Sequence, residues 1–279
     1  MHPLVRHIRE ALHGVYADAE ALSLAKMLLV EVFGFSTLEL YAGKDRSFSE
    51  KEQELLDDIV CRLQKHEPIQ YIIGRENFMG LVFHVDENVL IPRPETQELV
   101  EWIVEDHQSD EHCRILDIGT GSGCIPIALA HFLKGAQVEA WDISAGALEV
   151  ARRNAVANQV EVQFREQDVF SATPSSSSYD VIVSNPPYIT EQEKADMEAN
   201  VLDWEPSIAL FVPDSDPLLF YRKIAELGLE MLVTGGSLYF EINRAYGAMM
   251  KSMLENMGYR YVELRKDMFG NDRMIKAIK

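Results

Sequence analysis

The chain has little cysteine, little positive charge and no long apolar run. Its three cysteines, Cys61, Cys113 and Cys124, are odd in number and widely spread over 279 residues, which argues against a disulfide framework in an oxidising compartment. No window reaches the ~18 uninterrupted apolar residues of a membrane-spanning helix, and no basic stretch leads into an apolar core with a cleavage site. A cytoplasmic protein without membrane association is therefore expected. Lys and Arg number 26 against 45 Asp and Glu, for a formal charge of -19. That balance opposes the phosphate contacts behind most nucleic-acid affinity, and suits a basic or neutral partner better. Solubility alone explains the same surplus without any partner. His107, His112 and Cys113 cluster in a polar stretch with no fourth ligand, so a solvated loop and no metal are expected.

What is present suits a soluble globular chain of one or two domains, with 47% hydrophobic residues. Residues 1–74 read as a helical N-terminal domain. Leu4, Ile8, Ala11, Leu12 and Val15 fall on one helical face, Ala21 to Phe33 continues in helix formers, and Gly34 ends that stretch. Ser49 and Glu52 form a capping-box signature ahead of Leu55, Leu56, Ile59, Val60 and Leu63, and Pro68 opens a further short turn. Residues 75–95 change texture: Phe78, Phe83, Val85, Val89 and Ile91 around Gly80 predict a β-hairpin connector.

Residues 96–279 read as an α/β domain. Strands are expected at Arg114–Ile118, Val138–Asp142, Val160–Gln167, Tyr179–Ser184, Ser237–Ile242, Tyr259–Leu264 and Arg273–Ile278. Helices are expected from Cys124, over Ala145–Ala157 and over Leu218–Leu232. The last two strands should pair antiparallel across a turn at Gly270 and Asn271. The serine run Ser175 to Ser178 reads as a surface loop.

Four strand ends carry residues with chemistry. Asp117, Gly119, Thr120, Gly121, Ser122 and Gly123 sit where the first strand of the α/β domain turns into a helix, as in a nucleotide site. The dinucleotide spacing fails because Cys124 stands where its third glycine would be. Asp117 would repel a pyrophosphate and attract an ammonium or sulfonium group, such as S-adenosylmethionine carries. Asp142, at the next strand end, is placed for ribose hydroxyls, although capping the following helix would also explain it. Asp168, Val169 and Phe170 end the third strand, where a carboxylate or amide meets an adenine amine and an apolar side chain its ring; a buried turn is the rival reading. Asn185, Pro186, Pro187 and Tyr188 follow the fourth strand. Two prolines cannot join a ladder, so they hold the Asn185 side chain and the Pro186 carbonyl in fixed directions, two acceptors for a planar NH2 on which Tyr188 would stack; a turn that only stops the strand explains the four residues equally well.

With the segment Ile91, Pro92, Arg93, Pro94, Glu95, Thr96 and the closing residues Asp267, Gly270, Asp272 and Arg273, these motifs resemble the peptide-chain release factor glutamine N(5)-methyltransferase family over nearly the whole chain. The resemblance implies a seven-stranded, mostly parallel sheet of the class I methyltransferase (Rossmann-like) type with a small helical N-terminal domain; those helices are expected to help dock the protein substrate, a scaffold that shields the hairpin being the rival reading. It implies S-adenosyl-L-methionine as cofactor, a release factor as protein partner, and methylation of the glutamine amide in a Gly-Gly-Gln loop. Asn185, Pro186 and Tyr188 are the expected catalytic residues; Pro187, Arg93 and Glu95 join them in substrate binding, Arg93 and Glu95 either closing over the cofactor or starting the helix after Pro94. A monomer without direct nucleic-acid binding is expected. Ribosomal-protein glutamine methylation and adenine N6 methylation of nucleic acid present a similar amine and stay open as alternatives. The chain departs from the family pattern at Phe211 to Pro217, which replaces a glycine-rich turn, at Asn243, where glycine is common, and at Val169, where an aromatic residue is frequent.

Overall fold

A computed structural model of the protein describes residues 2–42, 46, 48–174 and 178–279. Of the serine run, Ser175 to Ser177 lie outside the described residues. The chain forms two compact units, Met1–Gly74 with Glu198–Trp204, and Arg75–Met197 with Glu205–Lys279. No described helix is long and apolar enough to cross a membrane.

The first unit begins with helices α1 (Pro3–Ala11), α2 (Asp18–Glu31), α3 (Thr37–Ala42), α4 (Glu50–Leu63) and α5 (Ile69–Ile73). Val5, Ile8 and Leu12 bury one side of α1 against Ala21, Ala25, Leu28 and Leu29 of α2. The helix starts follow local chemistry. Ser49 Oγ accepts from the Glu52 amide while Glu52 Oε2 accepts from the Ser49 amide, so two otherwise orphaned donors are satisfied at the start of α4. Gly34, at φ 66°, closes the turn after α2.

The second unit opens with the hairpin β1 (Arg75–Phe78) and β2 (Leu81–His84), turned at Met79 and Gly80, both with positive φ as a tight hairpin requires. It then runs α6 (Pro94–His107), β3 (Arg114–Ile118), α7 (Cys124–Phe132), β4 (Gln137–Asp142), α8 (Ala145–Ala157), β5 (Gln163–Glu166), β6 (Tyr179–Ser184), β7 (Ile189–Thr190), a 3-10 turn over Glu191–Asp196, α9 (Ala199–Leu202), α10 (Ser207–Leu210), β8 (Phe211–Val212), α11 (Leu219–Met231), β9 (Leu232–Glu241), α12 (Gly247–Met257), β10 (Arg260–Lys266) and β11 (Asp272–Ile278). Helix α9 groups with the first unit. The hairpin belongs to the second: Phe83 is fully buried in its core, and Asn154 of α8 bonds both backbone groups of His84.

The main sheet has the order β10-β11-β9-β6-β3-β4-β5. Neighbours from β9 to β5 pair parallel, whereas β11 runs antiparallel between β9 and β10. Both faces are covered. Leu116, Ile182, Leu238 and Phe240 pack against Tyr221, Ile224, Met250 and Leu254 of α11 and α12. Ile115, Val181, Val183 and Tyr239 pack against Leu99, Ile103 and Ile127 of α6 and α7. Burial on both faces explains why β6 reads as a continuous apolar run instead of alternating.

Two strands differ from their sequence pattern by several residues. The run expected from Val160 is strand only over Gln163–Glu166, because the Val160 amide still bonds Ala155 O at the end of α8. Strand β9 starts earlier than Ser237, at Leu232, and takes in Gly235 and Gly236.

Candidate active site

Strand β3 lies inside the sheet, between β6 and β4. The chain builds β4 and β5 to one side of it and returns to place β6 on the other, so the crevice beyond β3 and β6 is a topological switch point, the usual ligand position in an open α/β sheet. A cavity of about 340 Å³ lies there, lined by the β3–α7 loop, Asp142, Asp168 to Phe170, Asn185 to Pro187, and residues Asn88 to Arg93.

The loop after β3 is shaped by glycine. Gly121 has φ 53°, and a Cβ there would meet nothing within 4 Å, so the backbone leaves open space on that side. Gly123 does the opposite work: a Cβ would stand 2.9 Å from Ile127 and 3.1 Å from Ala151, so its absence lets the loop sit tight on α7 and α8. The Gly119 and Thr120 amides both donate to Trp141 O, at 2.8 and 3.0 Å, which locks the loop to the end of β4.

Two carboxylates flank this loop in different states. Asp117 is fully buried, and neither of its oxygens has a hydrogen-bond partner among the described residues. Burial raises its pKa to about 7; the Thr120 hydroxyl opposes the rise without forming a hydrogen bond, and the Asp142 charge adds to it. Asp142 is satisfied: Oδ2 accepts from the Gly121 amide at 2.8 Å and Oδ1 from the Ser144 amide at 2.9 Å. Burial raises its pKa too, against those backbone donors. Ser144, not Asp142, caps α8, since its hydroxyl accepts from the Ala147 amide at 3.2 Å.

Asp168 lies just past β5, its Oδ1 accepting from the Phe170 amide at 2.9 Å. Val169 is buried and lines the cavity; Phe170 lines it too, half-exposed, with its ring 5.3 Å from that of Phe220.

After β6, Asn185 and the two prolines line the cavity. Asn185 Nδ2 donates to Thr96 Oγ1 at 3.3 Å, and that hydroxyl donates to Glu241 Oε2 at 2.6 Å. The Asn185 Oδ1 and the Pro186 carbonyl have no hydrogen-bond partner among the described residues. The structure places Tyr188 elsewhere. Its ring packs against the core beside α11, its hydroxyl donates to Glu241 Oε1 at 3.0 Å, and it does not line the cavity. Its backbone carbonyl is held by Asn243 Nδ2 at 3.1 Å, a contact that glycine at 243 would lack.

Arg93 lines the cavity and makes an ion pair with Glu205, whose side chain is almost wholly buried and also accepts from the Ile91 amide at 3.3 Å. Glu95, half-buried one residue into α6, does not line it. Phe211 and Val212 pair with Ile189 and Thr190 as a two-strand parallel patch. Away from the cavity, His107 Nδ1 lies 2.8 Å from Asp110 Oδ2, and Cys113 groups with these two, Asp110 standing in place of the expected His112.

Sequence reasoning did not single out Glu241, Glu205 or a role for Thr96. Their partners stand 145, 112 and 89 positions away, so no local spacing signals them. Asn88, whose loop also walls the cavity, had only a hairpin signal.

The cavity fits S-adenosylmethionine on its own chemistry. Asp117 does not itself line the cavity, but its orphaned carboxylate, buried one residue before the lining residue Ile118, wants a cation; the open side of Gly121 leaves room for close backbone approach, and Asp142 has unused acceptor capacity for hydroxyls.

Comparison with known proteins agrees in both units. Residues 4–74 match the PrmC N-terminal domain and residues 95–203 the methyltransferase small domain. The chain is similar to a release factor glutamine methyltransferase of Bacteroides thetaiotaomicron, 53% identical and covering 99% of each chain, and to one of Flavobacterium psychrophilum, 43% identical and covering 96% and 95%. In fold it resembles a methyltransferase from Pyrococcus furiosus, with TM-score 0.53, 18% identity, and 83% of this chain and 99% of that one covered. The chain therefore belongs to the release factor glutamine methyltransferase family, class I enzymes whose methyl donor is S-adenosylmethionine.

Proposed function

We propose that the protein transfers a methyl group from S-adenosylmethionine to the side-chain amide nitrogen of the glutamine in the Gly-Gly-Gln motif of a peptide-chain release factor. The observation that carries this reading is the pair of unpartnered acceptors, Asn185 Oδ1 and the Pro186 carbonyl, on the cavity walled by Ile118 and the glycine loop, with the orphaned Asp117 carboxylate buried one residue behind that wall. Two acceptors match the two N–H donors of a primary amide.

When bound, S-adenosylmethionine supplies a methyl group on a sulfonium, a strong leaving group. Asp117 holds the ammonium, Asp142 accepts from the ribose hydroxyls, and Asp168 with Val169 receives the adenine. Asn185 and Pro186 accept the amide protons, orient the nitrogen and favour its lone pair over conjugation with the carbonyl. The nitrogen's extra proton becomes acidic once the C–N bond forms and leaves to water, so no general base is assigned. Arg93 acts from the wall of the cavity, held by Glu205.

The acidic balance of the chain supports a protein partner over a nucleic acid. The helical residues 1–74 help dock that partner, the enzyme works as a monomer, and its place is the cytoplasm, where release factors act. Labelled S-adenosylmethionine offered in parallel with purified release factor, ribosomal protein and DNA, with mass-spectrometric mapping, tests the reading. Label on the release-factor glutamine is expected; label confined to DNA would overturn it.

A further inference from the structure

We propose that Thr96 and Glu241 are positioning residues that decide which atom Asn185 turns toward the substrate, and that they thereby let the site tell a glutamine amide from a glutamate carboxylate. The inference rests on the glutamine-methylating reading of the cavity.

An asparagine amide has a donor end and an acceptor end of nearly equal shape, and a flip exchanges them. Only the acceptor end is useful against a substrate NH2. The hydrogen bonds behind Asn185 remove the choice. Glu241 is 1% exposed; burial raises its pKa, and the two hydroxyls that donate to it, Thr96 at 2.6 Å and Tyr188 at 3.0 Å, together with the Arg273 charge, oppose that rise. Each Glu241 oxygen accepts from a hydroxyl, so the single proton of Thr96 Oγ1 is committed to Oε2. What remains on Thr96 toward Asn185 is lone pairs, and these accept only from an NH2 group. Asn185 Nδ2 is accordingly turned to Thr96 at 3.3 Å. Its Oδ1 is left for the cavity, beside the Pro186 carbonyl.

The consequence is a site with two acceptors and no donor from these residues. A primary amide satisfies both. A carboxylate of the same shape would bring its negative oxygens against two carbonyl oxygens, a mismatch that a freely flipping Asn185 would relieve by offering its NH2. Direction of hydrogen bonding, carried from a buried glutamate through one hydroxyl, is thus converted into substrate choice.

The test uses the full chain with bound S-adenosylhomocysteine and three forms: wild type, Thr96→Val, which keeps the shape and removes the hydroxyl, and Thr96→Ser, which restores it. Side-chain amide exchange of Asn185 is read by NMR, and binding of a Gly-Gly-Gln peptide is compared with its Gly-Gly-Glu counterpart. In wild type and Thr96→Ser, the Asn185 NH2 should exchange slowly and the glutamine peptide should bind better. In Thr96→Val, exchange should accelerate, the preference should fall roughly tenfold, about the scale of one hydrogen bond, and cofactor affinity should hold. Unchanged exchange and preference in Thr96→Val would overturn the proposal, as would loss of cofactor binding in that variant or failure of Thr96→Ser to restore both readouts. If wild type discriminates neither peptide while Thr96→Val still frees the Asn185 amide, the substrate reading falls and the orientation of Asn185 stands.

Discussion

The Gly121 amide donates to Asp142 Oδ2 at 2.8 Å, so one carboxylate both stiffens the glycine loop and faces the cavity. Asp142→Ala should remove loop anchor and hydroxyl acceptor together and weaken S-adenosylmethionine binding by about 1.5–3 kcal/mol, a factor of roughly 10 to 100. Asp142→Asn, which keeps an acceptor for Gly121, should fall between. Calorimetric titration checks the order.

If Asp117 holds the ammonium as proposed, cofactor affinity should depend on pH. With its pKa at about 7 in the free protein, the carboxyl is largely neutral at pH 6 and ionised at pH 8. Affinity for the cationic ligand should rise across that interval and level off above it, and Asp117→Asn should abolish the rise. A titration flat from pH 6 to pH 8 would contradict the assignment.

Stability of the ligand-free protein should follow the opposite slope. The folded pKa of Asp117 lies above the unfolded value, so the folded state holds the extra proton, and the contribution is full below about pH 4 and lost as pH rises toward 7. Asp117→Asn removes a buried uncompensated charge and should stabilise the free protein at pH 8 by roughly 1–3 kcal/mol, read from denaturant unfolding, while it weakens cofactor binding.

Asn185→Ala should leave cofactor binding near normal and lower kcat by about 100-fold or more, the scale seen when one transition-state hydrogen-bonding group is removed. Near-normal turnover with bound cofactor would exclude Asn185 from the chemistry.

Arg93→Ala should cost about 2–4 kcal/mol of stability, because it leaves the buried Glu205 carboxylate without its cation. Adding Glu205→Gln in the same chain should recover much of the loss. Chemical denaturation of the two variants separates a missing charge partner from a packing defect.

What the sequence made legible follows from how local each signal is. Ser49 with Glu52, Gly80 in its hairpin and Gly123 before α7 are decided by atoms a few residues apart, and all three features appear as read. The four strand ends bearing Asp117, Asp142, Asp168 and Asn185 were legible because a parallel sheet brings the ends of its strands to one side. Glu241 was not legible. In the sequence it is the polar residue at the end of an apolar strand, and only the tertiary approach of α6 gives it Thr96. Tyr188 misled for the same reason: its neighbours in sequence point to the cavity, while its hydroxyl answers to Glu241. The early start of β9 and the short β5 show a smaller limit, since strand length is set by the neighbouring strand and not by the residues alone.

The placement of β11 orders the birth of the sheet. Strand β10 pairs only with β11, and β11 comes after it in the chain yet sits between β10 and β9. Until residues 272–278 are available, β9 and β10 have no strand to join them, and the edge of β9 that β11 covers is open. The sheet closes by insertion, so the strands on either side of β11 can be joined only once residues 272–278 are in place.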